Sequence, residues 1–193
     1  EPQKPKPPPR ARTVNWPLFG LNPARTRYLP AKGVAPPFRK LWRYTDRPLF
    51  VKALSLVAGD GTGGNDPSYD YTTFREIAKA AELAYEQAGI TDPRAELAMA
   101  EVHDCFTITE MVLMEDLGFA PRGTAWREIL DGAFDLDGDL PVNPDGGLKS
   151  FGHPVGASGL RMLFEAWLQL RGEAPDERRI STYGQRNLAL THN

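Results

Sequence analysis

The chain has 193 residues, with 23 Lys/Arg against 25 Asp/Glu, three His and one Cys, for a net charge of −2. One cysteine excludes an internal disulfide and any multi-cysteine zinc site, and no apolar run approaches the roughly 20 residues of a membrane-spanning helix. The near-neutral total hides two unlike parts. Residues 1–48 hold 11 Lys/Arg against 2 Asp/Glu and 11 of the 18 prolines, whereas residues 49–193 hold 12 against 23 and 16 of the 18 glycines.

Residues 1–45 read as an irregular, basic, proline-rich segment. The chain opens Glu1-Pro-Gln-Lys-Pro5, without an initiator Met and without the apolar core of a signal peptide. It therefore reads as cytoplasmic, and as processed or a fragment. Lys4 to Arg10 favours an extended polyproline-II form, because proline fixes φ and removes amide donors. A tract of this kind serves as a disordered tail, an SH3-type ligand or a basic arm. Residues 19–43 mix aromatic and basic side chains, as single-strand binders do. Pro23, Pro30, Pro36 and Pro37 interrupt every candidate element, so no nucleic-acid partner is expected.

Residues 46–193 read as one domain. Leu49–Ala58 is a β-rich run of strand length, closed by Gly59. Gly59–Gly64 lacks the Lys-Ser/Thr ending of a phosphate loop and reads as a turn. Thr73-Phe-Arg-Glu76 has the form of a capping box. The helix after it places Ile77, Ala80, Ala81, Ala84 and Ala88 on one face and stops at Gly89. Leu97–Val102 is a short apolar strand interrupted only by Glu101. A second capping box, Thr107-Ile-Thr-Glu110, opens a helix carrying Met111, Met114 and Leu117 that stops at Gly118. Trp126–Leu130 is a short helix ended by Gly132. Asp135–Asp139 departs from a calcium loop in its glycine position and lacks the closing Glu, so it reads as a turn. A long helix after Gly156 sets Leu160, Leu163, Phe164, Trp167 and Leu168 on one face and ends near Gly172. A last strand starts at Asn187–Leu190. Strands alternating with helices predict an α/β fold, a mixed β-sheet with helices on its faces.

Two stretches carry groups capable of chemistry. Strand 97–102 delivers Val102-His103-Asp104-Cys105-Phe106 at its carboxyl end, immediately before a helix N-terminus, where the dipole favours a thiolate. His103 is placed to polarise a carbonyl while the Cys105 thiol exchanges protons. A structural cysteine beside a capping Asp is the alternative. The second stretch runs from Asn143 to Gly159 and is glycine-rich. His153 precedes Pro154, which disfavours helical geometry at His153 itself. The imidazole therefore projects from a loop just ahead of the long helix, and a plain helix-entry turn is the alternative.

Together, His103-Asp-Cys-Phe106 and Gly147-Leu-Lys-Ser-Phe-Gly-His-Pro-Val-Gly-Ala-Ser-Gly159 resemble the C-terminal half of a thiolase, most closely the sterol-carrier-protein-2 type. The resemblance runs from about Asp46 to Asn193, with Thr13–Leu18 as a detached piece. It implies a thiolase-like half-fold and an acyltransferase acting on coenzyme A thioesters in lipid or sterol side-chain metabolism, with no cofactor and no metal. It further implies that His153 activates a nucleophilic cysteine and helps form an oxyanion hole, that His103 donates to a thioester oxygen, and that Cys105 shuttles a proton. Relatives that act as retro-aldolases are expected to carry tyrosine where Cys105 stands. Three departures accompany the likeness. The family's nucleophilic cysteine belongs to an N-terminal half, so the domain is expected to be inactive alone and to need that half, or a homo-oligomer, as partner. The domain is read as incomplete after Asn193. Residues 19–43 are foreign to the family, as a compensated frame shift in a GC-rich gene would make them. A non-catalytic remnant that grips acyl-CoA or a partner is the other reading.

Overall fold

The computed structural model describes residues 48–59 and 66–193. The basic segment, the foreign text at 19–43 and most of the glycine-rich turn after Gly59 lie outside the described residues.

The centre of the domain is a parallel pair, β1 (Leu97–Glu101) and β2 (Leu188–Thr191), joined in the register Leu97↔Leu188 and Glu101↔Thr191. On its other side β1 receives a short parallel bridge from Val142. All five residues of β1 are buried, as expected of a strand covered on both faces. One face is covered by α1 (Arg75–Ala88) and α3 (Thr107–Asp116), which pack Ala81, Leu113 and Met114 against Leu97, Ala100 and Val102. The other is covered by α6 (Ser158–Arg171), whose Ala166 packs with Ala98, Met99 and Ile180. The shorter α2 (Pro93–Glu96), α4 (Ala125–Leu130) and α5 (Gly147–Phe151) and a 3-10 turn at Asp176–Arg178 complete the regular structure.

The irregularity between Leu97 and Met99 decides what the sheet presents. Side chains along a strand alternate between faces, and one extra residue inverts everything beyond it. Here Ala98 and Met99 share the α6 side, while Ala100 and Val102 return to the α1/α3 side. Glu101 and His103 therefore project toward α6. Without the bulge they would point into the opposite core.

Several expectations need correction. Leu49–Ala58 forms no strand. It is extended and held against α1 by Leu54 N–H donating to Gln87 Oε1 (3.2 Å) and Ser55 Oγ donating to Ala80 O (2.7 Å). Its Phe50, Val51, Leu54 and Leu56 are exposed; strand propensity without a neighbouring strand yields no ladder. Neither capping box forms. The first residue before α1 is Phe74, and the cap comes from a distant carboxylate: Asp116 accepts from Thr73 Oγ1 and from Phe74 N–H, both at 2.7 Å. Phe106 precedes α3 without a side-chain cap, because Glu110 accepts instead from Asn143 Nδ2 (2.9 Å). The stops are as predicted: Gly89 and Gly172 adopt left-handed geometry at the ends of α1 and α6.

The long helix is oriented the unexpected way. The first part of its apolar stripe is exposed, with Leu160, Leu163 and Phe164 at 69%, 50% and 58%, while Trp167 and Leu168 are half-buried. The face toward the sheet is mixed: Ser158, Met162, Glu165, Ala166 and Gln169. Gln169 is satisfied by Glu165, by Arg178 O and by Ile180 N–H, so the polar groups on that face have partners.

Candidate active site

The carboxyl end of the sheet gathers the reactive groups. β1 ends at Glu101, and Val102, His103 and Asp104 continue beyond it. Val102 N–H donates to Asn143 Oδ1 (2.8 Å), and Asn143 N–H donates to Ala100 O (2.9 Å), so the 143–159 loop leaves the sheet beside His103. Asn143 holds φ of 50°, a left-handed conformation that asparagine tolerates better than most residues.

Asp104 joins the two sequence stretches. It is buried, and its Oδ1 accepts from Leu148 N–H (2.7 Å) at the start of α5. Gly147, at φ +65°, lies against this carboxylate, and a Cβ there would collide with it. The middle residue of His103-Asp104-Cys105 is thus a structural clamp that sets the distance between the two histidine-bearing segments.

The result is a histidine pair. The rings of His103 and His153 lie 4.8 Å apart, edge to face. His153 Nδ1 is 2.8 Å from Ser158 Oγ, which in turn donates to Pro154 O (3.3 Å). The hydroxyl proton is committed to the carbonyl, so Ser158 accepts from His153 Nδ1–H and leaves Nε2 with a free lone pair. Tautomers are assigned from such networks. Ser158 is fully buried, which fixes the ring it holds. His103 Nδ1 faces Asn193 Oδ1 at 3.3 Å.

Cys105 is exposed at the same strand end, just before α3. Its polar neighbour is Thr109, Sγ to Oγ1 4.0 Å. Among the described residues neither histidine hydrogen-bonds to it. The structure therefore brings His103 and His153 into contact and leaves the Cys105 thiol exposed beside Thr109.

A buried carboxyl–guanidinium contact lies beneath the pair on the same face. Glu101 is fully buried, with Arg161 Nη1 3.1 Å from its Oε2. Arg161 also pairs with Asp145 in the 143–159 loop. Burial pushes the Glu101 carboxyl up to about 8; Arg161 opposes this and the nearby Glu165 and Asp104 reinforce it. His192, one residue past β2, extends the ladder by donating its N–H to Glu101 O (2.8 Å). Burial, with His103 nearby, holds its imidazole down at about 4, so it is neutral at physiological pH.

Sequence reasoning missed Glu101, Arg161, Ser158 and Asn193. Glu101 did carry a signal: a lone charge in an apolar strand is costly unless it meets a partner. Asp135–Asp139 forms a turn, and among the described residues no group of three or more His, Cys, Asp or Glu is arranged to hold a metal ion. Nor is any helix there long and apolar enough to cross a membrane.

Residues 66–193 match the family model described as thiolase C-terminal domain-like. The chain is 40% identical over 150 residues to an acetyl-CoA acetyltransferase of Methanothermobacter thermautotrophicus, covering 78% of this chain and 37% of that protein. It is 41% identical over 96 residues to human sterol carrier protein 2, covering 50% of this chain and 17% of the other. It is also 36% identical over 125 residues to the benzoylsuccinyl-CoA thiolase subunit BbsB of Thauera aromatica, covering 65% and 32%. Among solved structures it superposes on an Ltp2-ChsH2(DUF35) aldolase with a TM-score of 0.51 at 28% identity, over 59% of this chain and 28% of that one. The chain thus spans little more than a third of the acetyltransferase it matches.

Proposed function

The chain belongs to the thiolase family through its C-terminal domain, and on that premise we propose that it is the histidine-bearing half of an acyltransferase acting on acyl-coenzyme A thioesters. The observation that carries this reading is the pair of rings of His103 and His153, held 4.8 Å apart at the carboxyl end of a parallel sheet. In acyl transfer a thiol must lose a proton as it attacks, and negative charge develops on the thioester oxygen. His153, with Nδ1–H bound to Ser158, offers Nε2 as the base for a nucleophilic cysteine. His103 faces the thioester oxygen. Cys105, exposed beside them, moves the α-proton or the proton of the leaving thiolate. No metal or redox group enters any of these steps.

The chain holds one cysteine, and it is committed to proton transfer in this scheme. The nucleophile of this scheme is therefore a cysteine outside these 193 residues, on an N-terminal thiolase half, or the cysteine of another copy. The outward face of α6, with Leu160, Leu163 and Phe164 exposed, is the surface such a partner would cover. Lipid or sterol side-chain thioesters are the expected substrates, given the likeness to sterol carrier protein 2.

The superposition on the aldolase favours a second reading, half of a retro-aldolase-type complex. Cys105 argues for acyl transfer over this alternative, since a tyrosine is expected there in retro-aldolases. One experiment addresses both. The purified chain, given acetoacetyl-CoA and CoA, produces no acetyl-CoA. The same chain co-expressed with a nucleophile-bearing thiolase half does, and His153→Ala abolishes it. Turnover by the chain alone that Cys105→Ala removes would overturn the two-part scheme. Cleavage of a β-hydroxyacyl thioester by the mixture, without thiolysis, would select the aldolase reading.

A further inference from the structure

We infer that Asn193 is a positioning residue for His103, holding its ring in the Nδ1–H tautomer so that Nε2 faces the site as an acceptor. The placement follows from the sheet. Glu101 is paired with Thr191, and His192 N–H donates to Glu101 O. Two residues past that pairing on each strand, His103 and Asn193 stand side by side on the α6 face. Asn193 Oδ1 lies 3.3 Å from His103 Nδ1. A carbonyl oxygen has no proton to give, so the contact is a hydrogen bond only if Nδ1 carries the hydrogen.

The other side of the amide is also fitted. Asn193 Nδ2 lies against Gly159 in the first turn of α6, where a Cβ would come within 3.3 Å of it. The missing side chain at Gly159 makes room for the amide. The exposed Asn193 amide therefore reaches from the helix to the imidazole, with the oxygen toward the ring.

A chemical consequence follows for the pair. His153 is tied at Nδ1 by Ser158, and His103 at Nδ1 by Asn193. Both neutral rings then present Nε2 lone pairs, so the pair starts as two acceptors. His103 donates to a thioester oxygen only after its Nε2 has taken up a proton from solvent, because the thiol and α-carbon protons go to His153 and Cys105 in the proposed scheme. Of the third histidine, the Nδ1 atom is buried without a hydrogen-bond partner and the ring is neutral, so it adds no charge beside the pair.

This rests on the proposed reading in one respect only, that His103 faces substrate; the tautomer can be measured without any substrate. The full chain, 15N-labelled, gives three imidazole spin systems in a long-range 1H–15N spectrum at a pH where the rings are neutral. His103 is expected to show a protonated Nδ1 and an unprotonated Nε2. Asn193→Ala should shift the Nε2 resonance toward the protonated type, as the ring relaxes to the tautomer that free imidazoles favour. Asn193→Asp, which keeps an acceptor oxygen, should retain the wild-type pattern. A wild-type His103 protonated at Nε2, or one whose tautomer ignores Asn193→Ala, overturns the inference. Failure of the acyl-transfer assay leaves this measurement untouched.

Discussion

Glu101 and His192 show how single residues set the pH response of the fold. A group binding more protons when folded than when unfolded makes stability fall as pH rises, and the reverse holds for one binding fewer. Glu101 goes from an ordinary 4.5 to about 8 on folding, so it costs stability progressively between those values. His192 goes from 6.5 to about 4, so its cost appears as pH falls through that window. Between about pH 4.5 and 6.5 the two slopes oppose each other, one proton each. Above 6.5 only Glu101 acts, and it is worth roughly 1.4 kcal/mol per pH unit at most. The melting temperature should therefore be nearly level from pH 4.5 to 6.5 and fall from 6.5 to 8. Glu101→Gln should remove the alkaline fall, and His192→Gln should extend it down toward 4.5. A Glu101→Gln protein that melts with the wild-type pH profile would show that the carboxyl is ionised throughout. The groups facing Glu101 are Arg161 and Glu165 from α6 together with Asp104, and Arg161 also serves Asp145. The residues themselves were legible in the sequence: His103, Cys105 and His153 stand out by type and context. Their supports were not. Ser158, Asn193 and Asp104 act through distances set by a bulge and two loops, and nothing in their spacing reveals which atom each will reach.

Helix and strand periods located α1, β1, α3, α4, α6 and β2 in the sequence to within a few residues. What they left open was which way each element faces. The apolar stripe of α6 was legible as a stripe, and an apolar stripe ordinarily faces the core. Here the sheet takes the other side, because the buried Glu165, Gln169 and Ser158 find partners there: Arg178, Ile180 N–H and His153. The capping boxes failed for a related reason, since Asp116 reached the start of α1 before Glu76 did. This assignment of faces has opposite consequences for neighbouring residues of one helix. Met162, fully buried, should cost about 2–5 kcal/mol on truncation to Ala, as core methionines do. Leu163→Lys with Phe164→Lys should change chain stability by about 0.5 kcal/mol or less, the usual range for surface changes. Equal destabilisation of both variants in urea melts would mean that α6 buries its apolar stripe after all.

At the scale of the whole molecule, two of the apolar surfaces left uncovered among the described residues differ in kind. The α6 face is a rigid helical surface with Phe164 stacked on Trp167 at 5.8 Å. The 49–58 segment is a strand-forming run with no strand beside it, and Leu54 and Leu56 are 81% and 92% exposed. An exposed β-prone run offers backbone as well as side chains to any partner, which makes it a site of non-specific pairing. The helix face lacks that option and depends on shape-matched burial. The purified chain is therefore expected to self-associate, with a weight-average mass that rises with concentration in sedimentation equilibrium. Leu54→Lys with Leu56→Lys should suppress open-ended growth while leaving binding to a thiolase N-terminal half intact. Leu163→Lys with Phe164→Lys should abolish that binding while leaving open-ended growth in place. The opposite pattern would place the partner on the extended segment. A wild-type chain that stays monomeric across concentrations and melts cooperatively would mean that these surfaces are covered within one chain.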